Sequence, residues 1–403
     1  MQSDFWLKRS DCFVIILLMK KTVYADNAAT TKISDEALKA MEPFYKENYF
    51  NPSQGYAPGS LAKRSLNDAR RTIAETLHSF DREIIFTSGG SESDNLAIIG
   101  VLDACRDRGS HIITTDIEHK AVLNTVKYLE KNGARVTYVH AGVDGRVNPA
   151  DIEAAISNDT VLISVMTANN ETGTIQPIEE IGRIAKAHGV LFHTDTVQAY
   201  GKLPIDPVTM NIDLMSVSAH KFNGPRGVGF LYVKRGTPLA GLIHGGDQEY
   251  GLRAGTENLP AIAGMATAAR IACEKMEERG EYERKLTEHL YERVMSEIEG
   301  VSLNGDFEKR LPGTLNFSFD NIEGESLLIA LDMKGICVST GSACVLSTDA
   351  PSHVITAITG SEERARQSVR ISLSHENTME EVDYIADMLR ESVEYLRGLR
   401  KNG

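Results

Sequence analysis

Residues 213–233 read DLMSVSAHKFNGPRGVGFLYV, two apolar runs separated by a polar, glycine-rich turn that begins at Lys221. Upstream lie further short runs of the same kind: EIIFTS (83–88), HIITT (111–115), ARVTYVH (134–140), TVLISVM (160–166) and VLFHTD (190–195). Helical patterns such as IEEIGRIAKAHG (178–189) separate them. This alternation predicts an α/β domain whose mostly parallel seven-stranded sheet is flanked by helices. Ligands of such sheets bind beyond the carboxyl ends of the strands. Polar residues gather there: Ser88 to Glu92, His119, Asn169 with Asn170, Asp195, and His220 with Lys221.

Beyond Pro260 a charged helical stretch, 260–298, leads to a smaller α+β domain. Its pieces are TLNFSF (314–319), the helix-like ESLLIALDMKG (325–335), SVRISLS (368–374) and a last helix. In that helix Val382, Ile385, Leu389, Val393 and Leu396 keep helical spacing behind a Thr378-x-x-Glu381 capping box. The expected organisation is a large domain over 31–277 and a small one from 19–30 and 278–403. The first eighteen residues, MQSDFWLKRSDCFVIILL, form an extension whose apolar run is too short to span a bilayer. An upstream start or disordered tail is the expectation, with a buried strand or peripheral anchor as the alternative.

The chain has 403 residues, 42% hydrophobic and 25% charged, which suits two ordinary globular domains. A net charge of -13 argues against stable nucleic-acid binding. The five cysteines are odd in number and form no CxxC pair, so neither a disulfide framework nor a metal site is expected. A reducing cytoplasm fits, with no membrane contact.

Six positions carry candidate chemistry. Lys221, between a strand end and a glycine-rich turn, can meet a ligand with its amine, or be a surface lysine; Ser218, His220 and the turn glycines beside it suit a phosphate. Asp195 can pair with a protonated pyridine nitrogen, or cap a helix; Gln198 can face the same pocket. TSGGSESDN (87–95) turns from strand to helix and offers backbone N–H groups to an anion through Gly90 and Ser91, or is a tight turn capped by serine. His119 can lie over a flat ring and move protons, or be structural. Cys344, in the small-residue stretch STGSACVLSTDAPSH (339–353), reads as a thiolate nucleophile on an exposed loop, or as an inert cysteine. Arg370, inside a strand, needs a carboxylate, from substrate or from the protein.

Together these residues resemble the cysteine desulfurases of the NifS/IscS type, in the fold-type-I pyridoxal-phosphate superfamily related to class V aminotransferases. The resemblance runs from about Val23 to the last helix, through YADNAATT, NPSQGY, FTSGGSESDNLAI, EHKAVL, NNETGTIQPI, HTDTVQAYGK, SAHKFNGPRGVG, GLRAGTENLP, STGSAC and PSHV. It implies pyridoxal 5'-phosphate as cofactor, with Lys221 as Schiff-base lysine, Asp195 as pyridinium partner, Gln198 as phenolate donor and His119 as ring-stacking acid/base. Gly90, Ser91, Ser218 and His220 would hold the phosphate. Thr256 of the partner subunit would complete that cradle, which implies a homodimer. Asn170 and Arg370 match the residues that bind the substrate carboxylate.

The activity so implied is conversion of L-cysteine to L-alanine with a persulfide on Cys344, and sulfur delivery to an acceptor protein such as an iron–sulfur scaffold. Three segments depart from the family pattern: SLSHENT (372–378), CVLS (344–347) and GGDQEYG (245–251). They bear on access, loop behaviour and partner choice more than on the chemistry. A selenocysteine lyase or a class V aminotransferase would share the pocket. A non-catalytic partner-binding scaffold and a cofactor-free sulfurtransferase are readings of other classes.

Overall fold

The computed structural model describes residues 22–341 and 350–401. The chain divides into two compact units. The larger comprises Ala28–Gly280 and Gly305–Leu311; the smaller comprises, of the described residues, 22–27, 281–304, 312–341 and 350–401. Strand β1 (Val23–Tyr24) belongs to the smaller unit.

The larger unit holds seven strands: β2 (Ile84–Thr87), β3 (His111–Thr115), β4 (Arg135–Val139), β5 (Thr160–Ser164), β6 (Leu191–Asp195), β7 (Leu214–Ser218) and β8 (Gly229–Val233). All seven apolar runs noted above are strands, in the order β2-β8-β7-β6-β5-β3-β4. Only β8 runs against the rest, antiparallel to both β2 and β7. The others therefore end at one edge, which is where the polar residues lie. Every residue of β2, β3, β5, β7 and β8 is buried. This explains why these runs are apolar and β-branched throughout instead of alternating. On one face, helices Gly90–Ala104 and Lys120–Lys131 pack Leu96, Ile98, Val101, Val122 and Val126 against Ile85, Ile112, Leu162, Leu214 and Leu231. Each such side chain contributes about 1.5–3 kcal/mol on burial.

At the strand edge one close approach demands glycine. A Cβ on Gly229 would stand 2.3 Å from the Val217 carbonyl oxygen and 2.8 Å from Gly89 Cα. Gly89 itself sits at φ +147°. Two backbones thus meet where β2 hands over to its helix.

In the smaller unit β1 pairs in parallel with β11 (Ile336–Cys337). A second sheet has the order β12-β10-β9, from Ser368–Ser372, Thr314–Phe319 and Val301–Leu303. The helix Met379–Lys401 covers it, with Val382, Ile385, Leu389 and Val393 packed among Phe317, Phe319, Leu315 and Leu331. The expected capping box is present: the Glu381 N–H donates to Thr378 Oγ1 at 3.2 Å and the Thr378 N–H to Glu381 Oε2 at 3.4 Å. The charged stretch after Pro260 is two helices, Leu259–Glu274 and Met276–Glu297, broken at Lys275. In the departing segment SLSHENT, Asn377 accepts from the Ser374 N–H at 2.9 Å and donates to the Tyr24 carbonyl at 3.0 Å. It closes that turn onto β1.

Candidate active site

The carboxyl edge of the large sheet collects the side chains in strand order. Asp195 is the last residue of β6, and Ser218 the last of β7. Lys221 ends the single 3-10 turn Ala219–Lys221 that follows. Its Nζ donates to the carbonyl oxygens of Ala28 and Ala29 at 2.5 and 2.8 Å. Gln198 Nε2 donates to the same Ala28 oxygen at 2.9 Å. The AATT segment is thereby wrapped on the lysine turn, and Thr31 bonds both to the His220 carbonyl and to the Asn223 N–H. Its part in holding Lys221 is not visible in spacing, because the partners are some 190 residues away.

His119 is the N-cap of helix Lys120–Lys131, and its Nδ1 accepts the Ala121 N–H at 3.1 Å. A neutral ring held this way carries its proton on Nε2. Burial lowers the His119 pKa, with Lys221 and Lys120 acting the same way and Asp195 opposing. Burial likewise raises Asp195, against His119, the Val197 N–H and Lys221. Both groups shift toward neutrality, so they are two desolvated neighbours rather than a settled ion pair. Asp195 accepts from Val197 N–H at 2.8 Å, yet no helix follows it, which sets the helix-cap reading aside.

Gly89, not a serine, is the N-cap of helix Gly90–Ala104, and it has no side chain with which to cap the first turn. Cβ atoms built on Gly89 and Gly90 would lie 3.4 Å from Ser218 Oγ and 3.6 Å from Ser218 Cβ, so these glycines and Ser218 border one space. His220 Nδ1 lies 3.1 Å from Thr30 Oγ1, and burial pushes its ring down to about 4. The imidazole is therefore neutral at pH 7. Ser91 stands in the first turn of that helix. Thr256 is exposed on the loop after Arg253, which is tied down twice. Arg253 pairs with Glu92 at 2.8 Å, and buried Arg70 grips Glu249 through two bonds of 2.6 and 2.7 Å.

The class-V aminotransferase family matches residues 23–385. The chain belongs to that family. It is 48% identical to cysteine desulfurase IscS of Clostridium botulinum over 381 residues, covering 94% of this chain and 96% of that one. It is 48% identical to cysteine desulfurase IscS of Methanosarcina thermophila over 379 residues, 94% of each. A solved NifS-like protein, 41% identical, superposes with a TM-score of 0.88 over 93% of this chain and 100% of that one. Another, described as SspA in complex with cysteine, is 40% identical with a TM-score of 0.78 over 87% and 99%.

The pocket of this class-V aminotransferase relative fits pyridoxal 5'-phosphate by the chemistry of its donors. An amine, a carboxylate, an imidazole, an amide and a hydroxyl share one sheet edge beside an uncapped helix start. Gln198 Nε2 gives one hydrogen to Ala28 and keeps a second for another acceptor, while its buried Oε1 has no hydrogen-bond partner among the described residues. Asn170 lies half-buried in the loop after β5. Arg370 lies in β12 of the smaller unit, where its Nη2 pairs with Asp26 at 2.7 Å, the protein carboxylate that the strand position demands. Cys344 lies outside the described residues.

Three ionisable residues beneath the pocket escaped notice in the sequence: Asp94, Glu118 and His193, all buried. His193 precedes Asp195 by two residues in β6, the spacing that shares a strand face. That spacing, two ionisable side chains on one face of a five-residue strand, is the signal that could have found it.

Proposed function

We propose that the protein is a pyridoxal-phosphate-dependent cysteine desulfurase that turns L-cysteine into L-alanine and leaves a persulfide on Cys344. The observation that supports this most is the convergence of Lys221, Asp195, His119, Gln198 and Ser218 on one sheet edge in a chain 48% identical to proteins named cysteine desulfurase. Lys221 would hold the cofactor, Asp195 would face its ring nitrogen, His119 would lie over the ring and Gln198 would donate to its phenolate oxygen. Gly90, Ser91, Ser218 and His220 would bind the phosphate, together with Thr256 of the partner subunit. Asn170 and Arg370 are assigned to the substrate carboxylate. The larger unit would be the cofactor-binding domain and the smaller would carry the cysteine segment.

When bound, pyridoxal phosphate supplies an aldehyde for an amine and an electron-withdrawing ring for the charge left when the substrate Cα loses its proton. The Lys221 amine takes and returns that proton. His119, with Nδ1 pinned by a backbone N–H, would direct its Nε2–H toward the substrate sulfur as a hydrogen-bond donor. The Cys344 thiolate attacks the substrate sulfur: an S–S bond forms, the C–S bond breaks, and its electron pair stays on carbon, which a proton converts to the methyl of alanine. No external oxidant or reductant is required.

The working form is taken to be a homodimer. Tyr45, Tyr49, Tyr56, Leu61 and Tyr250 are exposed on the larger unit, an apolar set that a second subunit would cover. Cytoplasmic location fits the free thiols of Cys105, Cys273 and Cys337, and no helix among the described residues is long and apolar enough to cross a membrane. A sulfur-acceptor protein, such as an iron–sulfur scaffold, would receive the persulfide. Incubating the protein with cysteine and measuring alanine, sulfide and the mass of the Cys344 peptide tests the reading. Equal alanine and bound sulfur support it. A keto acid product, or unchanged alanine release from Cys344→Ser without added thiol, overturns it.

A further inference from the structure

Behind Asp195 stands a second carboxyl that the proposed reaction does not use. Asp94, one turn into helix Gly90–Ala104, is 1% exposed. A carboxylate oxygen of Asp94, one of Asp195 and a ring nitrogen of His119 all lie within 4.8 Å of one another. Asp94 Oδ1 has no hydrogen-bond partner among the described residues, and His193 Nε2 stands 3.7 Å from it. That imidazole offers no charge. Its nitrogens meet Ser164 Oγ at 2.8 Å and Ser216 Oγ at 2.9 Å, and burial holds the ring neutral down to about 3.

Two carboxylates this close, with water excluded, cannot both ionise. The titratable groups around the pair are Asp195 and His193 on β6 and Glu118 and His119 ahead of helix Lys120–Lys131; Lys221 acts on Asp195 and His119. Burial raises both carboxyls, but on Asp195 it is opposed by His119, the Val197 N–H and Lys221, whereas on Asp94 burial, Asp195 and Glu118 act together against the Ser216 hydroxyl alone. We propose that Asp94 is a positioning residue for the desulfurase reaction, a neutral carboxyl that confines the negative charge of the pair to Asp195, the member that faces the pyridine nitrogen. The proposal rests on the function assigned above. An ionised Asp94 would drive a proton onto Asp195, and a protonated Asp195 cannot pair with a protonated ring.

Asp94→Asn keeps the shape and the neutrality, whereas Asp94→Ala removes the wall. In the cofactor-free protein at pH 7, infrared difference spectra of wild type against Asp94→Asn should show loss of one protonated-carboxyl C=O band. If no such band is lost, Asp94 is ionised and the proposal falls. In the loaded enzyme, Asp94→Asn should leave the pH midpoint of the cofactor's visible absorbance in place and change pyridoxal-phosphate affinity less than about twofold, while Asp94→Ala should displace the midpoint and weaken affinity about tenfold. An Asn variant that moves the midpoint by about one pH unit, or an Ala variant that moves neither quantity while lowering only thermal stability, overturns the proposal. The infrared result needs no cofactor. A wild-type protein that shows the band but binds no pyridoxal phosphate therefore sinks the functional reading, and with it the positioning role, while leaving the neutral carboxyl established.

Discussion

Replacing Glu118 by glutamine should make the protein more stable at neutral pH, and increasingly so as the pH rises. Glu118 is fully buried, and burial above all, with smaller contributions from Asp195 and Asp116, pushes its carboxyl up to about 8 against the Met166 N–H and Thr115 hydroxyl. Unfolded, the side chain titrates near 4.3. Between those values the folded chain binds a proton that the unfolded chain has released, so stability falls as pH rises through this window and the cost levels off above the folded value. At about 1.4 kcal/mol per pH step, the cost is about 4 kcal/mol at pH 7 and about 5 kcal/mol above pH 8. A glutamine oxygen can accept the same two bonds that Glu118 Oε1 accepts, from Thr115 Oγ1 at 2.8 Å and Met166 N–H at 3.0 Å, without that proton. Thermal midpoints of the cofactor-free wild type and Glu118→Gln, followed by fluorescence from pH 5 to 9, should be close at pH 5 and diverge steadily until about pH 8. A gap that stays constant across the range would mean Glu118 is ionised in the folded protein and would refute the reasoning.

His193→Gln should flatten the acid limb of stability: its ring stays neutral down to about 3 when folded but protonates near 6.5 when unfolded, so stability is lost as pH falls through that window. The check is the denaturation midpoint at pH 4 against pH 7. Asp195→Asn should reduce alanine formation by about 10²-fold or more while the protein still folds and binds cofactor, because the ring loses its charged partner. Lys221→Ala should retain no cofactor after borohydride reduction, read by intact mass. Arg70→Met should destabilise the protein by about 3–5 kcal/mol by stranding the buried Glu249 carboxylate, measured by urea denaturation; Arg70→Met with Glu249→Gln should recover much of that loss.

The large sheet is legible in the sequence because five of its seven strands are buried throughout, so each of these is a short apolar run with little else to be. The polar residues at the strand ends are legible for the complementary reason: an acid that ends strand Leu191–Asp195 and a lysine three residues past strand Leu214–Ser218 stand where the ligands of such sheets bind. What the pattern does not carry is partnership over distance. That β8 is reversed depends on β2 and β7 flanking it, and that Gly305–Leu311 joins the larger unit depends on bonds such as Leu311 N–H to the Gly173 carbonyl. Neither leaves a mark in local periodicity. The pairing of Arg370 with Asp26 is hidden in the same way, although the need for some carboxylate was readable from an arginine inside a strand.

The same limit explains which parts of the site were missed. Lys221, Asp195 and His119 announce themselves by breaking an apolar pattern at a strand end. Asp94, Glu118 and His193 instead lie where a polar letter passes for an ordinary helix or strand residue, and only their burial shows that each must be neutral or paired. Asp94 stands one helical turn after Gly90, so the helix that offers its N–H groups at one end also carries a carboxyl into the floor of the pocket. The neutrality of that floor concentrates the charge of the site at the few atoms the chemistry needs. It also carries a cost in stability that varies with pH, so the Glu118 and His193 titrations probe the same electrostatic arrangement that the reaction would use.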